Sequence, residues 1–203
     1  IAFPQATDRQ ITAKMFLVAP GYLRNECQEN GIGVDFCNDL FIDDTYINPE
    51  KALILKLDSF YHTQRMAKPP KSPDYLVILK CPDGSYNLYI IELRNVSGTA
   101  GIPRKTIIDK FSTIIEDFFP KQFPKYFNTE TNKINNISLY LVTDPFKIAS
   151  KGLTDDEIRQ YISGSNLDAY SSMDPLIYNG KPLIIEPKLP NPKICKCEDT
   201  ACK

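Results

Sequence analysis

Tryptophan is absent from this 203-residue chain, and His62 is its only histidine. One imidazole leaves no His-rich zinc motif, and a Ser-His-Asp triad would have to use that single ring. Neither sign of charge is in excess: 24 Lys and Arg stand against 25 Asp and Glu, a net charge of -1. A strongly basic nucleic-acid coat is thereby excluded, while a local basic face is not. No stretch approaches the roughly 18 consecutive apolar residues of a membrane-spanning helix, so no membrane partner is expected. There is no Walker A loop, no G-x-S-x-G elbow, no internal repeat and no low-complexity block. Ile1-Ala2-Phe3-Pro4-Gln5 shows no charged region followed by a long apolar one, so no signal peptide is expected. The missing initial Met reads as a processed or trimmed start.

Hydrophobic residues make up 42% and charged residues 24%, which fits a globular chain rather than a disordered one. The length fits one domain over 1–186, followed by a Pro-, Lys- and Cys-rich tail over 187–203. Six cysteines are present: Cys27, Cys37, Cys81, Cys195, Cys197 and Cys202. The last three crowd the C-terminal end without the paired C-x2-C spacing of a zinc site. A frayed tail, a metal site with a fourth ligand from elsewhere, and disulfides are the three readings. A reducing, cytoplasmic setting is expected. Asn95-Val96-Ser97 and Asn136-Ile137-Ser138 match the glycosylation triplet, but both fall in or beside expected strands.

The first 48 residues are irregular in pattern. Ile11 to Val18 reads as a helix or strand stopping at Pro20-Gly21, and Gly31-Ile32-Gly33 and Asp43-Asp44 read as loop. Asn48-Pro49-Glu50 opens the first firm element: Asn is a good N-cap, Pro suits the first helical position, and Glu complements the helix dipole. Ala52, Leu53, Leu55, Leu57, Phe60 and Tyr61 then predict a helix to about Met66, broken by Lys68-Pro69-Pro70-Lys71-Ser72-Pro73. Asp74 to Lys80 is a β-type run, Cys81-Pro82-Asp83-Gly84-Ser85 is a turn, and Tyr86 to Leu93 returns as a second strand. A helix is predicted from about Arg104 to Phe119, ending before Pro120. Ile137 to Thr143 reads as a buried strand. Thr154-Asp155-Asp156-Glu157 resembles a capping box opening a short helix to about Ile162. Leu183-Ile184-Ile185 is a last short strand. This order predicts an α/β domain, a central mixed β-sheet flanked by helices.

The informative constellation is Ser72-Pro73-Asp74 with Ile91-Glu92-Leu93-Arg94. Positions 74 and 92 lie symmetrically about residue 83 in the turn, so the two carboxylates are predicted to face each other across the hairpin. Their Cβ atoms would be about 4.5–5.5 Å apart. Like charges there repel, and a hard divalent cation bridging their oxygens offsets this. Glu92 also interrupts an otherwise apolar strand, and a carboxylate there needs a partner or a metal.

Pro73-Asp74 and Glu92-Leu93-Arg94 together resemble the restriction-endonuclease-like PD-(D/E)XK nuclease superfamily. The order of helix, hairpin, helix and strand over about 48–145 matches that family's core. The resemblance implies a metal-dependent endonuclease that hydrolyses DNA phosphodiesters. It makes Asp74 and Glu92 ligands of Mg²⁺ (or Mn²⁺) and the Leu93 carbonyl a third ligand. At this length the chain is close to small type II restriction enzymes, which act as homodimers; a toxin domain or a viral cap-cleaving nuclease belongs to the same superfamily. The family's usual lysine is replaced by Arg94. Arginine keeps its charge, so it steadies a phosphate but does not serve as a base. Lys105 and Lys110, on the helix that follows, are the nearest substitutes, and Arg104-Lys105 lies at a helix N-terminus that favours phosphate.

Glu50 and Asp58 are further acids expected on the helix beside the site, with Glu50 a candidate for a second metal; an ordinary solvated helix face is the plainer reading of each. His62, on the same helix, is a weaker candidate ligand. Arg104, Lys105, Lys110, Lys121 and Lys125 interleave with Phe119, Phe123 and Tyr126. That fits either a nucleic-acid track or a core of aromatics beneath solvated lysines. The plain alternative for the whole motif is that Asp74 caps a strand entry and Glu92 and Arg94 are edge-strand surface charges. The chain is then a non-enzymatic nucleic-acid-binding or protein-interaction domain.

Overall fold

The computed structural model describes residues 23–43, 45–64, 67–127, 132–195 and 197. The segment Ile11–Val18, Met66 and Cys202 lie outside the described residues. The elements run β1 (Leu23–Arg24), β2 (Cys27–Glu29), β3 (Ile32–Phe36), β4 (Ala52–Lys56), α1 (Leu57–Thr63), β5 (Tyr75–Lys80) and β6 (Tyr86–Arg94). Then follow α2 (Arg104–Thr113), α3 (Pro124–Phe127), β7 (Ile134–Thr143), α4 (Asp155–Ile162) and α5 (Asp168–Ser171). The chain continues through β8 (Leu176–Tyr178), β9 (Lys181–Leu183), β10 (Ile185–Lys188) and β11 (Lys193–Ile194).

The main sheet is mixed, with strand order β1-β4-β5-β6-β7-β10. Strands β4, β5 and β6 are antiparallel, and β7 and β10 run parallel to β6. Both faces are covered. Leu53, Leu55, Leu76, Ile78, Leu88 and Ile90 pack against α1, α2 and the segments after them. Ala52, Ile54, Tyr75, Val77, Leu79, Ile91 and Leu93 pack against the small sheet β11-β3-β2. Burial on two faces is why these strands read as continuous apolar runs rather than alternating ones.

That same property overturns one expectation. The predicted helix from Asn48 is a turn, then β4, and helix only from Leu57 to Thr63. Asn48 does act locally as a cap: its Oδ1 accepts the Glu50 N–H at 3.0 Å. Pairing with β5 then buries Leu53 and Ile54 on opposite faces, and tertiary context outweighs helix propensity. The second helix also differs. α2 does not stop at Phe119 but widens into a π-helical stretch, Ile114–Gln122, that accommodates Pro120. Phe118, Phe119, Phe123 and Phe127 from this region form one buried aromatic group, with the Phe119 and Phe127 rings stacked at 4.3 Å.

Residues 27–36, which include the Gly31-Ile32-Gly33 segment expected to be loop, form a hairpin with Cys27 opposite Val34 and Glu29 opposite Ile32. Its turn residues Asn30 and Gly31 both have positive φ, the conformation Asn-Gly favours between strands. Residues 187–195, expected to open a frayed tail, are ordered structure. β10 belongs to the main sheet and β11 pairs with β3, so the expected boundary after residue 186 cuts through a strand. Disulfides Cys37–Cys195 and Cys81–Cys197 pin this segment, and Cys27 is free and buried. Of the three readings of these cysteines, disulfides hold for Cys195 and Cys197. Among the described residues no helix is long and apolar enough to cross a membrane.

Candidate functional site

The hairpin register is the one read from the turn. Tyr75 pairs with Ile91, which sets Asp74 opposite Glu92 at the open end. Glu92 continues the row Leu88, Ile90 on the helix side of β6, so its carboxylate meets α2 rather than solvent. Its side chain is 0% exposed, so it is no edge-strand surface charge. Asp74 is buried as well, and its backbone is held on both sides. Its N–H donates to the Ile91 carbonyl at 3.1 Å, and its carbonyl accepts the Leu57 N–H at 2.8 Å. The Leu93 N–H donates to Asp74 Oδ2 at 2.7 Å, so Leu93 touches the acid through its amide.

Lys110 supplies the counter-charge. It lies on the side of α2 that faces the sheet, and its Nζ donates to both oxygens of Glu92 at 2.8 Å each. The same Nζ is 3.8 Å from Asp74 Oδ1. Lys110 is therefore not one of the solvated lysines that the basic–aromatic spacing allowed. Arg94 Nε lies 2.7 Å from Glu92 Oε1, yet its buried N–H makes no hydrogen bond. The contact is an ion pair without directed bonding.

A second acidic group adjoins the first. Carboxylate oxygens of Glu29, Asp58 and Asp74 lie within 4.8 Å of one another. Asp58 comes from the first turn of α1, and Glu29 comes from the end of β2 on the opposite layer. Lys56 pairs with Glu29, sits 3.8 Å from Asp58 and lies over the Tyr75 ring at 4.6 Å. Three hard oxygen donors at this spacing are close enough to share one cation of the Mg²⁺ or Ca²⁺ type. Asp74 belongs to both groups.

Burial sets the electrostatics. It pushes the Glu92 carboxyl up to about 7, and the Asp74 charge adds to this, against the pull of Lys110 and Arg94. Burial likewise raises Asp74, against Lys110 and the Leu93 N–H. Burial opposes the ionisation of both acids, and an added divalent cation would favour it.

The other expected residues divide. Glu50 is exposed in the turn before β4 and outside the acidic group. Arg104 and Lys105 are exposed on the first turn of α2. His62 is exposed, with Nδ1 2.6 Å from the Asp58 carbonyl. Phe119 and Phe123 are core residues, so the aromatic half of the basic–aromatic track is spent on packing. Sequence reading missed Glu29 and Lys56; the Asn30-Gly31 turn is the signal that places Glu29 at a strand end. A cleft of about 730 Å³ between the β2–β3 hairpin and β11 is lined by residues such as Gln28, Asp35 and Lys193, and it contains none of Asp58, Asp74, Glu92 or Lys110.

No family model, no curated protein and no solved structure matches this chain.

Proposed function

We propose that this chain is a metal-dependent endonuclease of restriction-endonuclease-like fold that hydrolyses DNA phosphodiesters. The observation that carries the reading is the convergence of Asp74, Glu92 and Lys110 at the open end of the β5–β6 hairpin. It repeats the motif's two acids and moves its lysine onto the following helix. Asp74 with Asp58 and Glu29 would hold Mg²⁺ or Mn²⁺, and Glu92 would join once Lys110 released an oxygen. The metal supplies charge neutralisation and a more acidic bound water. Asp74 and Glu92 would orient that water, and Lys110, 2.8 Å from Glu92 and 3.8 Å from Asp74, would hold its ammonium charge beside them. Arg94 stays charged and steadies the phosphate oxygens as negative charge develops. Arg104 and Lys105 contact the DNA backbone without reading sequence. A homodimer suits a chain of this size acting on two strands. A cytoplasmic setting, expected from the sequence, is opposed by the two disulfides, which persist where thiols are oxidised.

One observation favours a second reading. Lys110 already compensates Glu92 with two 2.8 Å contacts, as in a closed structural ion cluster. In that case the domain binds nucleic acid or protein and cuts nothing. Incubation with plasmid, single-stranded DNA and RNA, each with Mg²⁺, Mn²⁺ or EDTA, decides between them. Metal-dependent cutting that Asp74→Asn abolishes is the expected result. Intact substrates under every condition would exclude the nuclease.

A further inference from the structure

Lys56 puts a charge at the end of an apolar row. Ala52, Ile54 and Lys56 share one face of β4, and Ala52 and Ile54 are buried there against the small sheet. Register sets Lys56 opposite Tyr75, the residue after Asp74. Its Nζ lies over the Tyr75 ring at 4.6 Å and donates to the Tyr75 hydroxyl at 3.4 Å. That hydroxyl donates in turn to the Gln28 carbonyl at 3.1 Å, next to Glu29 in β2. The same Nζ pairs with Glu29 Oε1 and lies 3.8 Å from Asp58 Oδ2. Asp58 Oδ1 accepts the Ser59 N–H at 2.6 Å, so Oδ2 is the oxygen turned to the ammonium. The ammonium therefore stands among the hard oxygens of Glu29 and Asp58, which with Asp74 lie within 4.8 Å of one another. The group is open to solvent on one side: the Glu29 and Asp58 side chains are 29% and 35% exposed, against 14% for Lys56.

A lysine head and a hard divalent ion seek the same carboxylate oxygens, and they repel each other strongly across about 4 Å. One place among three acids does not hold both. The lysine is a compact charge on a flexible four-carbon stem, so it can withdraw without moving the backbone. Being tethered, it is always at high effective concentration, which a free monovalent ion does not match. We propose that the Lys56 ammonium is a built-in occupant of the cation position among Glu29, Asp58 and Asp74, and that a divalent ion binds there by displacing it toward solvent. The inference deepens the metal-dependent reading and rests on it for the ion. Lys56 keeps the three acids compensated without metal and sets the concentration at which metal loads. It touches no reacting atom and is not a catalytic residue.

The test does not require cleavage. Mn²⁺ is titrated by calorimetry into the full chain, wild type against Lys56→Met and Lys56→Arg, at a temperature where melts show each protein folded. Lys56→Met should bind Mn²⁺ more tightly by about tenfold or more, since the competing charge is gone. Lys56→Arg restores the charge and should bind like wild type. In EDTA, Lys56→Met should melt below wild type, and saturating Mn²⁺ should close the gap. Should Lys56→Met fail to fold, wild type decides by nuclear magnetic resonance. The Lys56 Cε–H signal, assigned by its loss in Lys56→Arg, should move on Mg²⁺ binding to the position of a free lysine. Equal or weaker Mn²⁺ binding by Lys56→Met, a Lys56→Arg protein that binds as tightly as Lys56→Met, or a Lys56 signal unmoved by saturating Mg²⁺ overturns the displacement. Mg²⁺-dependent cutting that persists beside such a result leaves the nuclease standing without it. Tighter binding by Lys56→Met in a protein that cuts nothing keeps the displacement and removes the nuclease. Absence of Mn²⁺ binding in all three proteins removes the metal site and the displacement together.

Discussion

Lys110 Nζ donates to both carboxylate oxygens of Glu92, at 2.8 Å each, and no other described cation makes two such contacts with that acid. The lysine side chain is 15% exposed and the glutamate 0%. Removing one partner of a buried pair leaves an uncompensated charge, which typically costs about 3–5 kcal/mol. Lys110→Met should therefore unfold at clearly lower denaturant in EDTA and recover part of the loss in Mn²⁺. Arg94→Met should lose less, since Arg94 is 31% exposed and makes no directed bond to Glu92. Equal stability of Lys110→Met and wild type would refute the pairing.

The raised acids set a pH dependence. Glu92 binds its proton more tightly folded than unfolded, so its contribution is fully present below its ordinary range, near pH 4.5, and is lost as pH rises to about 7. Asp74 acts in the same direction. In EDTA, wild type should lose stability relative to Glu92→Gln between about pH 4.5 and 7. Melts of both proteins across that window check this, and parallel curves would remove the buried acid from the account.

A divalent cation should reverse the penalty. Binding to the folded state alone adds about 2.7 kcal/mol at one hundred times the dissociation constant. Mn²⁺ should raise the wild-type melt, Asp58→Asn should blunt the rise, and Glu50→Gln should leave it intact. A rise that survives Asp58→Asn but disappears in Glu50→Gln would put the ion at the exposed turn instead.

Cleavage should follow the same map. Asp74→Asn and Glu92→Gln should lose activity while keeping a folded protein. Arg94→Ala should fall by about 10²–10³ in rate, the usual loss for one preorganised donor. Lys105→Ala should only weaken DNA binding, and its deficit should shrink as salt rises. Single-turnover rates with binding isotherms separate these cases; an inactive Lys105→Ala that still binds DNA would move the role to that lysine.

The disulfides predict a reductant-sensitive fold. Cys37–Cys195 closes a sequence separation of 158 and Cys81–Cys197 one of 116. Removing a native disulfide typically costs about 2–5 kcal/mol. Dithiothreitol should lower the melting temperature, and Cys195→Ser with Cys197→Ser should reproduce the effect and abolish further sensitivity. An unchanged melt in reductant would mean that β11 is held by pairing alone.

What the sequence determined by itself is local. The Asp-Gly turn between two β-type runs was enough to pair Asp74 with Glu92, because register in a hairpin follows from its turn. The Thr154 capping box was legible for the same reason, since both partners lie within one helical turn. Other features depended on contacts between distant segments. Ala52–Lys56 is a strand only because β5 lies beside it, and a run apolar on every side carries no period to distinguish the two states. Lys105 and Lys110 looked alike in sequence; packing of Ile107 and Phe111 turns Lys110 toward the acids and leaves Lys105 in solvent. Glu29 joins Asp58 and Asp74 through a hairpin laid across the opposite face of the sheet. These placements follow from how two layers close over one sheet, which minimises exposed apolar surface across the whole chain and is written in no single segment of it.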